Sequence, residues 1–357
     1  MKTSRSLLIS VVFLCTLLGL IGCSSKSNTE KSHSSSESEE IIKLKLATFI
    51  ASTSPLATDF TEPWMERVTE LTNGKVKFDY YPSEQLGKAA DLFDLTGDNV
   101  TDISLFTPQY APDKMALNNM LSSLPNLSTS VQQGTMAYND LLHQNTDFLE
   151  KDFLNHNVRP IMGMVPPADD IWTVDKEIRI PDDLEGVKIR SKGGIANEIF
   201  DYLGAIPVTI QFPETYEALD RGVVEGTANY ALTIQNGGFD ELLNYSTPTQ
   251  IGATVNVLII NENVWKKLPV DVQKAMTQAA EEIYKDIGNV YAEAISNFNQ
   301  GFIESGGTIL ELTEEEKQQW DTKLEEWVQL WLEENQSKDI PYRETLEDYR
   351  ELLKKYE

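Results

Sequence analysis

Hydrophobic periodicity switches between two and about 3.6 residues along this chain, first in one half and then again in the other. That alternation commits the chain to strands and helices in βαβ order. Ile42, Leu44 and Leu46 alternate with Lys43 and Lys45, the pattern of a half-exposed strand. Phe60, Trp64, Val68 and Leu71 then recur at helical spacing, with Thr61 as the expected N-cap, Pro63 in the first turn and Asn73-Gly74 as the stop. Further strands are predicted over 76–80, 102–106 and 161–165. The second half repeats the order with a strand over 186–190, a helix over 195–203, a strand over 207–210 and a short helix over 215–221 that Gly222 ends. Residues 254–261 are an apolar, β-branched run suited to a buried strand. Beyond it Asp271 is the expected N-cap of a long helix carrying Val272, Met276, Ala279, Ile283 and Ile287 on one face. Thr313 and Glu316 have capping-box spacing, and Trp320, Leu324, Trp327 and Trp331 follow as a core-facing seam. The expectation is two α/β lobes with largely parallel sheets, closed by long C-terminal helices.

The N-terminus speaks to location. Lys2 and Arg5 precede an apolar run over 7–20, too short and wrongly flanked for a transmembrane helix. The run closes on Leu20-Ile21-Gly22-Cys23, which looks like the lipobox of bacterial lipoproteins. Residues 1–22 are therefore read as a lipoprotein signal peptide and Cys23 as the acylated, palmitate-bearing N-terminus. Residues 23–40 form the lipid-anchored tether, since 24–40 contain no apolar residue to offset the entropy of ordering. Cys15 leaves with the signal, so no disulfide is expected. The protein is placed outside the cytoplasm, anchored by lipid to the bacterial membrane.

Charge excludes other partners. The formal net charge is −26, and losing the two cations of the signal leaves −28. Such a chain repels phosphate backbones and anionic headgroups, so neither nucleic acid nor peripheral membrane binding is expected. Enzyme chemistry is also missing. Neither His143 nor His156 has a metal-ligand neighbour, and no Cys pair, Gly-x-Ser-x-Gly, His-Glu-x-x-His or phosphate loop occurs. The series Asp91, Asp94, Asp98 and Asp102 lacks the spacing of a calcium loop. The reading is a non-enzymatic monomer without metal or cofactor.

One constellation remains. Arg190 ends a predicted strand, and Ser191-Lys192-Gly193-Gly194 leads into a helix, so a guanidinium fork, two glycines and a helix N-terminus converge where an anion would fit. The surrounding stretch 182–229 resembles the solute-binding proteins of TRAP transporters, the DctP family. Asp183-Leu184-Glu185-Gly186-Val187-Lys188-Ile189-Arg190 matches D-L-x-G-x-K-x-R, and Leu203-Gly204-Ala205-Ile206-Pro207-Val208 matches L-G-A-x-P-V. Tyr216-Glu217-Ala218-Leu219 and Gly222-Val223-Val224-Glu225-Gly226 continue the pattern. Thr72-Asn73-Gly74, Tyr81-Pro82, Gln85-Leu86-Gly87, Asp102, Val264-Trp265 and Leu268-Pro269 fall in family order, so the resemblance spans 41–357.

The resemblance implies a two-lobe periplasmic-binding-protein-like fold with a hinge and an interlobe cleft. Its lobes are expected at 41–166 and 167–257, with 258–357 finishing the crossover strand and packing long helices on both. It further implies a receptor that captures an organic acid and delivers it to the TRAP membrane permease. Arg190 stands at the family's carboxylate-binding Arg, and Asn229 matches an Asn that contacts ligand. Thr107, Tyr110 and Phe49 are expected at the cleft from the first lobe, with Trp172 and Tyr230 as aromatic walls. Many relatives have a second basic residue some twenty positions before the Arg. Here that region holds Asp169 and Asp170 and no base. Either both are surface acids in a loop before a strand, or one of them, with Asp170 the candidate, faces the cleft, turns away a second carboxylate and accepts a hydroxyl, an amine or a cation instead. Two other receptor roles fit the same fold, an ABC-importer binding lipoprotein and a ligand sensor for a membrane kinase.

Overall fold

The structure, a computed structural model, describes residues 41–336 and 339–357; the predicted signal, the tether and Cys23 lie outside the described residues. Its strands are β1 (Ile42–Thr48), β2 (Val76–Tyr81), β3 (Ile103–Phe106), β4 (Val158–Met164), β5 (Asp170–Thr173) and β6 (Lys188–Ser191). They continue with β7 (Ile206–Thr209), β8 (Gly226–Asn229), β9 (Tyr245–Thr247), β10 (Asn256–Asn261) and β11 (Thr308–Ile309). Two sheets result, a five-stranded one in the order β2-β1-β3-β10-β4 and a six-stranded one in the order β11-β9-β5-β8-β6-β7. Each is the floor of one α/β lobe.

The sheets are mixed, not largely parallel. β1, β2 and β3 run parallel, but β10 lies antiparallel to both β3 and β4. In the second sheet β6 is parallel to β7 and β8, whereas β5 is antiparallel to β8 and β9. The cause is the connection between lobes. The chain crosses after β4 and returns before β10, and each crossing strand enters its new sheet from the end where the neighbouring strands finish. The two crossings pair with each other: Asp169 N donates to Gly252 O at 2.6 Å and Ile251 N to Asp169 O at 3.0 Å. β10 belongs wholly to the first sheet, so the boundary expected at 257 falls inside one strand.

Helices seal both sheets. Glu62–Leu71 buries Trp64 and Val68, with Pro63 in its first turn. Thr61 does not cap it; one π-helical turn, Ala57–Thr61, precedes the helix and the Thr61 hydroxyl donates to Leu56 O. The stop at Asn73-Gly74 is left-handed at both residues, φ 51° and 80°. The long helix expected after Asp271 is two, Val270–Tyr284 and Ile287–Glu304, and its N-cap is Pro269. In Glu314–Asn335 the capping box forms in both directions, and Trp320, Leu324, Trp327 and Trp331 are buried. Trp320 Nε1 donates to Arg179 O and Trp331 Nε1 to Glu198 in the second lobe, while Tyr342–Lys354 packs on Val131–Gln144 of the first. Among the described residues no helix is long and apolar enough to cross a membrane.

Candidate ligand-binding cleft

Strand ends from both sheets meet at one small cavity. Arg190, at the C-terminal end of β6, pairs in register with Val208 of β7 and Thr227 of β8. β6 and β8 are parallel, so Asn229, two residues beyond Thr227, ends β8 at the same rim as Arg190. Arg190 is 1% exposed. Its Nε donates to Ile210 O at 2.8 Å, a bond that fixes the guanidinium plane. The two terminal nitrogens reach only 3.5 Å to Asn229 Oδ1 and 3.4 Å to Tyr110 Oη, longer than a normal N–H···O bond. None of these partners is a carboxylate. The fork is therefore held in place while its two outer donors stay weakly engaged.

Asn229 is oriented by its own strand. Thr227 Oγ1, two residues back on the same face, donates to Asn229 Oδ1 at 2.7 Å, which leaves the amide N–H groups for other acceptors. From the first lobe, Thr107 follows β3 and donates to Asn256 Oδ1 at 3.0 Å. Tyr110 stands edge-on to Phe49, centroids 6.0 Å apart, and both line the cavity. Tyr230 lines it too, with its phenol pushed up to about 12 by burial. The space is tight, ≈ 40 Å³ measured to the centre of a water-sized sphere.

Two expected residues lie elsewhere. Trp172 is core: its Nε1 donates to Asn229 O at 2.8 Å and its ring packs on Phe298 and Phe302. Asp170, two residues before Trp172 on β5, also lies away from the cleft: Oδ1 accepts from Thr249 N at 3.1 Å and the side chain borders a larger cavity of ≈ 570 Å³. Burial pushes its carboxyl up to about 7, against the backbone N–H bonds from Gln250 and Thr249 and with the Asp169 charge. The helix N-terminus after Gly194 is also not free, because Asn119 Oδ1 of the first lobe accepts from Ile195 N at 3.0 Å. Gly194 (φ 56°) permits that approach; a Cβ there would come within 2.7 Å of the Asn119 amide.

Other wall residues escaped the sequence reading. Lys192 is 6% exposed, borders the cavity and ion-pairs with Asp169. Its position was legible: residues i and i+2 of a strand share a face, so Lys192 follows Arg190 to the same side. Phe212, Leu56 and Leu232 supply apolar wall from loops and a helix whose distance in sequence hides their convergence. Among the described residues no group of three or more His, Cys, Asp or Glu is placed to hold a metal ion. The arrangement is a small pocket with a mixed apolar and polar wall, one rigid guanidinium and one lysine already paired with an acid, suited to holding an anion.

Comparison with known proteins agrees with this architecture. Residues 46–335 match the DctP family, bacterial extracellular solute-binding proteins of family 7. A solute-binding protein of Roseobacter denitrificans is 26% identical over 245 residues, 68% of this chain and 73% of its own. A C4-dicarboxylate-binding protein of Bacillus subtilis is 24% identical over 263 residues, 72% of this chain and 73% of its own. Among solved structures, a TRAP solute-binding protein of Rhodoferax ferrireducens in complex with copurified benzoate superimposes with a TM-score of 0.80, at 24% identity over 88% of this chain and 98% of that one. A marine metagenome TRAP protein specific for aromatic acid ligands gives 0.81, at 22% identity over 89% and 99%. The structural likeness establishes the fold, and the family match covers most of the chain. This protein therefore belongs to the DctP family of bacterial extracellular solute-binding proteins.

Proposed function

We propose that the protein captures a small organic acid between its lobes and hands it to a TRAP membrane permease, anchored at the membrane by lipid on Cys23. The observation that carries this reading is Arg190, a guanidinium 1% exposed on the cavity wall, with no carboxylate among its hydrogen-bond partners in the described residues. A buried cation with no carboxylate hydrogen-bonded to it is costly, and a ligand carboxylate accepting from both outer donors offsets that cost. Asn229 and Tyr110 flank the carboxylate. Phe49, Phe212 and Tyr230 enclose the body of the ligand. Contacts made by both lobes favour the closed arrangement, which is how a hinged receptor couples binding to shape.

Relatives support the substrate class: structures of proteins with this fold contain benzoate, 3-hydroxybenzoate, mandelate and D-glucuronate. The test is a thermal-shift screen of such acids on the wild type and on Arg190→Ala. A ligand at ~100 times its Kd adds about 2.7 kcal/mol of stability. Stabilisation of the wild type that disappears in the variant supports the reading. Absence of binding to any carboxylate, or equal stabilisation of both proteins, overturns it.

A further inference from the structure

We propose that Asp169 makes this cleft selective for monocarboxylates, by cancelling the charge of Lys192 on the cavity wall. The inference rests on the reading of the cleft as a carboxylate receptor and narrows its substrate class.

Arg190 and Lys192 sit two residues apart at the end of β6 and border the same enclosed space. Two free cations there would match a ligand with two carboxylates. Asp169 prevents that. It arrives from the first crossing, 4% exposed, and ion-pairs with Lys192. Its backbone is held to the returning segment, Asp169 N donating to Gly252 O and Asp169 O accepting from Ile251 N. Thr254 Oγ1 lies 3.3 Å from both carboxylate oxygens, a further anchor from the same segment.

The charge count follows whatever the protonation. Burial pushes the Asp169 carboxyl up and the Lys192 ammonium down, each toward its neutral form, while their attraction opposes both shifts. As an ion pair or as a neutral acid and amine, the two sum to zero. Arg190 alone then gives the wall its positive charge. A second ligand carboxylate brought to Lys192 would lose its water and meet Asp169 immediately behind, so attraction and repulsion offset and the desolvation cost stands. The rest of the wall, including Phe49, Leu56 and Phe212, suits an uncharged body.

The experiment compares ligands of one shape that differ only in the second charge. They are built on whichever monoacid the screen identifies; for benzoate they are isophthalate and 3-carbamoylbenzoate. Calorimetry at pH 7 should show the amide binding the wild type at least tenfold tighter than the diacid. Asp169→Asn should shift that ratio toward the diacid at least tenfold, and Asp169→Asn/Lys192→Met should lose the shift. Diacid binding by the wild type as tight as the amide overturns the proposal without a variant, as does an unchanged ratio in folded Asp169→Asn protein. A failure to bind any acid sinks the receptor reading itself, whereas a preference for diacids sinks only this inference.

Discussion

The Tyr110 hydroxyl of the first lobe accepts from the Phe212 backbone N–H of the second at 3.0 Å, and the same oxygen lies 3.4 Å from Arg190 Nη2. One phenol thus touches both the opposite lobe and the cation that the ligand is proposed to meet. Tyr110→Phe keeps the ring against Phe49 but leaves the Phe212 N–H without its acceptor. Affinity for the ligand should fall about five- to tenfold, as expected for ~1–1.5 kcal/mol of net hydrogen bonding. Small-angle scattering of the liganded variant should show a larger radius of gyration than the wild type, and unchanged affinity would refute the bridging role.

Arg190→Ala should cost ~2–5 kcal/mol of binding, because a desolvated ligand carboxylate loses its partner. Arg190→Lys should restore only part of this. An ammonium cannot keep the bond to Ile210 O and also present two outer donors in one plane. Isothermal calorimetry on the two folded variants checks both statements.

Asp170 predicts a pH dependence of stability. Its carboxyl titrates near 7 in the folded protein, above its ordinary value of 3.8, because burial disfavours the charge. Between those values the folded state holds a proton that the unfolded chain has released. The stabilising contribution is therefore complete below about pH 4 and disappears as pH rises through 7. Asp170 borders a cavity, so the expected size is about 2 kcal/mol, roughly half of what the full displacement would give. Urea denaturation from pH 4 to 8 should show this decline in the wild type and a flatter profile in Asp170→Asn.

Trp172→Leu separates packing from ligand contact. The substitution opens space beside Phe298 and Phe302 and removes the donor to Asn229 O, so stability should drop by ~3 kcal/mol. Ligand affinity of the folded fraction should change less than tenfold. A larger loss of affinity than of stability would place the indole in the wall after all.

Cys23→Ser should move the protein from the membrane fraction to the soluble fraction, or leave its signal uncleaved. Quantitative retention of mature Cys23→Ser protein in membranes would disprove the anchor.

Elements whose apolar period is unambiguous were readable from sequence. β1, β2 and the capped helix of the Trp seam follow directly from the spacing of their buried residues. Strand direction was not readable, because a period of two is the same for parallel and antiparallel neighbours; the antiparallel placement of β10 follows from the route of the chain. β5 was not delimited because it begins with an acid, Asp170, and the strands it pairs with, β8 and β9, lie far along the chain. Within the cleft, Arg190 was legible from its strand end and from the family pattern. Asp169 and Lys192 were both visible as residues, but the pair forms between segments whose approach is set by the crossings.

β10 fills the slot between β3 and β4, yet it is synthesised only after the whole second sheet except β11. Until it arrives, β3 and β4 expose facing edges with unpaired backbone groups, which invite pairing with other chains. A nascent or truncated chain ending before Asn261 should therefore need a chaperone or aggregate, however complete its N-terminal sequence. The same interleaving means that neither lobe can be expressed as a simple fragment of the gene. Cutting the protein into two independently folding pieces would require rewiring the chain, with β10 grafted behind β4.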